Sequence, residues 1–305
     1  MIRANLEIYE RAGLDALVRA GEAKEWFPGH IGAAMIAGAR LLAHPDLPDA
    51  AAIALGRTLE EKLAEDREWL RPLAETNRSL RTPDALLERL RADAGTPRNS
   101  GHSTIYGVTA LHVLARHPEW ATRRVIDGLV DLHEAGRVDD PGRYYGLPDY
   151  FAVTDRLSAG DANALDSSLE AFRAAIGLLD PLVADRDIGG RRYFLTGEKI
   201  HLVTHAHAIA TLEALGHLDI AARALRAQRA IAACVAPSDA LDATPTEPSA
   251  TRPEDAAFWD QPVPDRAHLI KLAEAVVTER ARLPEADRAA VSRRMGTMWR
   301  MLGIR

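Results

Sequence analysis

A single cysteine, Cys234, occurs among the 305 residues. No intramolecular disulfide can form from it, and a reducing, cytoplasmic setting is expected. Lying in AIAACVA, it reads as a small core residue rather than a nucleophile. No apolar run reaches the 18 or so residues of a membrane-crossing helix, so a membrane partner is not expected. The opening stretch MIRANLEIYERAG carries charge throughout and lacks the apolar block of a secretory signal. A surplus of basic residues is missing too. With 38 Lys and Arg against 44 Asp and Glu, the net charge of -6 argues against a nucleic-acid partner, which wants a concentrated basic surface. The dinucleotide fingerprint GxGxxG, the phosphate loop GxxxxGK[ST], the nucleophile elbow GxSxG, HExxH and CxxC are all absent. Any chemistry therefore has to come from histidines.

What is present points to helices. Alanine, leucine, arginine and glutamate dominate, alternating β-branched runs are scarce, and 47% of residues are hydrophobic. The expected fold is all-α, a single-domain helical bundle over 1–305 with a central histidine-rich metal site. Helices are predicted at about 3–22, 29–44, 49–71, 83–93, 101–116, 119–135, 163–180, 197–214, 216–234, 266–282 and 284–302. Pro83 and Pro284 suit helix starts, Asn99 or Ser100 a cap, and Gly136 and Gly216 stops. Residues 186–197 suit a short hairpin. Residues 137–162 read as irregular, and the six prolines of 236–265 rule out a continuous helix there, leaving a lid or a solvated connection. IYGVTALHVL (105–114) also echoes IHLVTHAHAI (200–209), as helix pairs repeated about one centre would.

The eleven histidines divide into two groups. His44, His117, His133 and His217 sit at helix ends, where surface or cap roles are expected, and His112 has no ligand pattern around it. His30, His102, His201 and His268 each stand near the N-terminal end of a separate apolar helix. Facing helices of a bundle supply metal ligands in this way. Lys271 follows His268 by three residues on the same face, and a lysine among apolar neighbours must snorkel, lose its charge or be modified. His205 shares a face with His201 and is an alternative ligand; His207 is another. From the residues alone, a metal centre and a set of hydrogen-bonded core histidines both remain open.

Four segments then carry a resemblance: FPGH, GHSTIYGVTALHVL, IHLVTHAHAIATL and DRAHLIKLAEAVV. In this order, over residues 24–282, they resemble the questin oxidase-like proteins, which include enzymes that oxidatively open anthraquinone-type rings. The resemblance implies a mononuclear non-haem iron held by four histidines and a lysine carboxylated on Nζ. Carried onto this chain, these are His30, His102, His201, His268 and Lys271. It further implies an oxygenase using O2 on an aromatic, quinone-like molecule of secondary metabolism. NADPH dependence has been described in the family, and nothing in this sequence supplies a nicotinamide site. The chain is shorter than the fungal members, so part of their pocket is expected to be missing.

Trp26, Phe27, Tyr106, Tyr144, Tyr145 and Tyr150 are candidates for an aromatic substrate pocket. Glu274 reads as a solvated helix residue or as an acceptor orienting a ligand histidine. Two other functions compete: a zinc-type hydrolase and a non-catalytic helical ligand-binding protein. The oligomeric state is left open, and alanine-rich helices such as 216–234 are suited to pack in a homodimer.

Overall fold

The computed structural model describes residues 6–74, 79–137, 140, 142–159 and 165–305. It is 68% helical. The first residues of the helices predicted from 3 and from 163 lie outside the described residues. In chain order the helices are α1 (Leu6–Glu22), α2 (Gly29–Ala43), α3 (Asp49–Glu65), α4 (Arg67–Leu70), α5 (Asp84–Asp93), α6 (His102–Arg116), α7 (Arg123–Ala135), α8 (Tyr150–Ala159), α9 (Ser168–Gly177), α10 (Leu195–Ala214), α11 (Leu218–Val235), α12 (Ala256–Trp259), α13 (Arg266–Ala281) and α14 (Glu285–Met301). The predicted hairpin is there as β1 (Arg186–Ile188) paired antiparallel with β2 (Arg191–Tyr193). No helix among the described residues is long and apolar enough to cross a membrane.

Four helices form the centre. α2 packs against α6 and α13, and α10 packs against the same two, which closes a square. Their burial explains their composition. α10 runs LTGEKIHLVTHAHAIATLEA and is buried on nearly every side, so it needs no polar face. α1 covers α2 and is backed by α7, α9 and α11 cover α10, and α14 packs on α13. One apolar cluster runs from Tyr9 to Ile304 through all these layers.

The four central helices leave the histidine end in the same sense. His30 is the second residue of α2, His102 the first of α6 and His268 the third of α13, while α10 begins two turns ahead of His201. Parallel neighbours require long crossovers, and α3–α5, α7–α9 and α11–α12 supply them.

Two expectations are corrected. Residues 150–159, read as irregular, form α8, whose first residue Tyr150 is fully buried. The proline-rich 236–265 segment is neither a free lid nor a solvated connection. Its Phe258 and Trp259 are buried, and backbone bonds tie Thr244 to Leu182 and Ser249 to Gly296; apolar anchors override what proline content suggests. The two segments of the 105–114 and 200–209 echo lie on α6 and α10, which pack against each other.

Candidate metal centre

His30, His102, His201 and His268 converge. One ring nitrogen from each lies within 4.8 Å of all the others. His30 Nε2 stands 2.9 Å from His102 Nε2, and His201 Nε2 stands 3.2 Å from His268 Nε2. Neighbouring donors bound at roughly 2.0–2.1 Å to one ion lie about 3 Å apart, so the spacing fits a metal.

The rings are aimed from behind. His30 Nδ1 is 2.8 Å from the Phe27 carbonyl and 2.6 Å from the Tyr106 hydroxyl. His102 Nδ1 bonds the Asn99 carbonyl, and His268 Nδ1 bonds Asp265 at 2.5 Å. A carbonyl or carboxylate oxygen only accepts, so these three Nδ1 atoms carry the protons and the Nε2 lone pairs face inward. His201 Nδ1 faces Glu198 at 3.6 Å without a hydrogen bond. The three bonded supports, Phe27, Asn99 and Asp265, each sit three residues before their histidine, and Glu198 holds the same offset from His201 without a bond. For His30, His102 and His268 this follows from the first turn of a helix, where a ring at one position reaches back over the preceding residues.

Protonation is suppressed at this end. Burial pushes the pKa values of His30, His102 and His201 well below the usual imidazole range, with neighbouring imidazoles and the Lys271 ammonium adding to it. His268 is lowered by burial first and by Lys271 next. The positive ends of the α2, α6 and α13 dipoles act in the same direction. Lys271 is 5% exposed, and burial lowers its amine to about 7. Among the described residues no hydrogen bond or ion pair holds its nitrogen.

The turn before His102 is held in an unusual shape. Asn99, Ser100 and Gly101 have φ of 48°, 56° and 82°, a run in the left-handed region that costs roughly 1–3 kcal/mol at each of the two non-glycine positions. Neither Asn99 nor Ser100 caps α6; Gly101 occupies that position. The turn is clamped instead, by Arg143 on the Asn99 side chain at 2.5 Å and by Glu198 and Tyr144 on Ser100 Oγ. A Cβ at Gly101 would come within 2.5 Å of the His205 ring.

That contact corrects one alternative ligand. His205 points away from the cluster, bonding Gln228 at 2.7 Å through Nδ1 and supporting the turn. His207 is not a ligand either, since it lies between Glu274 at 3.0 Å and Glu279 at 2.7 Å. Glu274, expected to be solvated or to orient a ligand histidine, is buried and pairs with Arg40 and His207. His133, expected at the surface, is buried against Asp93.

The aromatic candidates separate. Trp26 lies 5.1 Å from the His102 ring, and Phe27 lies 4.9 Å from the His30 ring while remaining 64% exposed. Tyr106 touches the site through His30, and Gly29 leaves room for its ring, because a Cβ there would meet it at 2.6 Å. Tyr144, Tyr145 and Tyr150 do not reach the histidines: Tyr144 is buried on Ser100 and Tyr150, and Tyr145 packs on Tyr193. Cys234 is buried, and burial raises its thiol to about 12, which agrees with a core role.

The supports were missed in the sequence. Asp265 and Glu198 are acidic residues three before a histidine and leave a readable signal. Phe27 and Asn99 act through backbone carbonyls and leave none. No family model matches the chain, and no curated protein or solved structure matches it either.

Proposed function

We propose that the protein is a metal-dependent oxygenase in which His30, His102, His201, His268 and Lys271 hold one non-haem iron. Its substrate is an aromatic, quinone-like small molecule of secondary metabolism. One observation carries the metal: His30 and His102 bring Nε2 atoms to 2.9 Å while both Nδ1 atoms already hold the protons. Neither ring has a hydrogen to give the other. Two buried lone pairs that close repel unless a cation lies between them. The choice of iron and of the aromatic substrate rests on the resemblance of the sequence segments.

Lys271 supplies the fifth position. A buried amine lowered to about 7 is substantially neutral at physiological pH. It attacks CO2, an N–C bond forms, and a proton leaves to solvent. The resulting carbamate replaces an unpaired buried cation by an anionic oxygen donor, which offsets charge on a metal. Iron, when bound, supplies the one-electron chemistry that lets O2 react with an aromatic ring. The chain does the rest. Asp265, Asn99 and Phe27 fix the ring orientations, and the Trp26 and Phe27 faces offer a stacking surface for a planar molecule at the edge of the site.

Elemental analysis of protein expressed with iron should find about one iron per chain, and a hydroxyanthraquinone should then drive oxygen uptake. Protein grown on 13C-bicarbonate should show a carbamate carbon resonance that Lys271→Met removes. Zinc in place of iron, with no oxygen uptake, would put a metal-dependent hydrolase in place of this reading. No metal, and no change of melting temperature with chelator, would leave a helical protein of hydrogen-bonded histidines.

A further inference from the structure

A second polar cluster lies along the axis of the four central helices, beyond the histidine end. It surrounds a cavity lined by Ala33, Ala37 and Arg40 of α2, by Ile105, Val108 and Thr109 of α6, by Thr204, His207 and Thr211 of α10, and by Lys271 and Glu274 of α13. The space open to water centres is about 20 Å³, and one water needs roughly 10–15 Å³ with two to four polar partners. The threonine, arginine, imidazole and carboxylate groups provide those partners. Lys271 belongs to both regions, since it lines the cavity and its charge acts on each of the four histidines.

From the cavity a hydrogen-bonded chain leads outward. Glu274 Oε2 is 3.0 Å from His207 Nε2, His207 Nδ1 is 2.7 Å from Glu279 Oε1, and the other Glu279 oxygen meets Arg282. Both carboxylates and the imidazole are buried, whereas the Arg282 side chain is 41% exposed. His207 is satisfied in either protonation state. As an imidazolium, it donates from Nδ1 to Glu279 and from Nε2 to Glu274. As a neutral ring protonated on Nδ1, it turns an Nε2 lone pair toward the Arg40 guanidinium, which donates across 3.0 Å. A group with a partner waiting for each state can gain and lose a proton without leaving a buried atom unpaired.

We propose that Glu274, His207 and Glu279 form a proton relay joining a water-holding cavity beside Lys271 to the surface at Arg282. In one passage the ring starts neutral and protonated on Nε2, with Glu279 protonated from solvent. Glu279 gives its proton to Nδ1, the Nε2 proton passes to Glu274, and Glu274 hands it to the cavity water. The ring is left protonated on Nδ1 with no net charge gained, and the same steps in reverse restore the starting tautomer. The groups facing His207 are Arg40 from α2, His112 from α6, and Lys271, Glu274 and Glu279 from α13. Burial holds His112 near 3, so it stays neutral, while the two carboxylates raise His207 to about 9 against its burial and the Arg40 charge.

The relay rests on the metal reading above, and cobalt(II) tests the two separately. Cobalt bound to the histidines reports protonation changes at its site in its visible spectrum, and a pH jump gives their rate without any turnover. His207→Gln should slow that relaxation by about tenfold or more while leaving cobalt affinity and the final spectrum unchanged. Glu279→Gln should do the same, and it serves if the first variant does not fold. Thr211→Val, which alters the cavity wall and a bond to Arg40 but breaks no link of the chain, should relax at the wild-type rate. Wild-type rates in both relay variants would overturn the relay and leave the metal site standing. Failure of wild-type protein to bind cobalt would overturn the metal site and the relay with it.

Discussion

The two ends of the central four-helix square hold buried histidines of opposite character. At one end His30, His102, His201 and His268 face one another and are held neutral by burial. At the other, His207 is just as buried and is raised to about 9. Solvent exclusion acts alike on both. The difference is the distance and aim of the carboxylates: Glu274 and Glu279 meet both nitrogens of His207 directly, whereas Asp265 meets only the outward nitrogen of His268. A carboxylate on the outward nitrogen leaves the inward lone pair free for a metal, and carboxylates on both nitrogens hold the imidazolium. Burial alone therefore does not say what a histidine is for; the placement of its acceptors does.

The comparison can be broken most directly by metal loading. His102→Ala or His268→Ala should abolish stoichiometric metal, a loss of roughly a hundredfold or more in affinity. His205→Ala should cost stability yet still bind about one ion per chain by elemental analysis.

A pH series sharpens it next. A histidine raised from 6.5 to about 9 stabilises the fold fully below pH 6.5, and that stabilisation is lost as pH rises through 9. The difference in urea stability between wild type and His207→Gln should therefore shrink, by on the order of 3 kcal/mol, between pH 6.5 and 10. The difference is the readout because the lowered Lys271 amine pushes the other way, stabilising as pH rises from 7 toward 10.5.

A smaller effect is expected from Asp265→Asn, which keeps the shape but weakens the acceptor behind His268. Metal affinity should fall about 10–100-fold, measured by competition with a chromophoric chelator. The smallest concerns Phe27→Ala. Because the ring is mostly exposed, urea stability should move by less than about 0.5 kcal/mol, while affinity for a planar hydroxyanthraquinone should drop in a fluorescence titration.

Much of this was legible before the fold was known. The helices of the central square were readable because apolar spacing, proline and glycine punctuation and helix propensity agreed along them. The grouping of His30, His102, His201 and His268 was readable because each stood near the start of an apolar run, while whether the rings hold a metal or one another was not. His205 and His207 were ambiguous, since neighbours on one helix differ only in direction, and direction has meaning only once α6, α11 and α13 are in place. Glu274 was misread for the same reason: on a helix buried all round, a carboxylate looks like a solvated face until Arg40 and His207 arrive beside it.

The sequence by itself determined most of the helices and the four helix starts that carry His30, His102, His201 and His268, because helix propensity and apolar period are local properties. Only the tertiary structure decided which nitrogen of each imidazole faces inward and which histidine is charged. Those outcomes depend on acceptors brought from residues tens to hundreds of positions away, and on carbonyls whose position no side-chain pattern records.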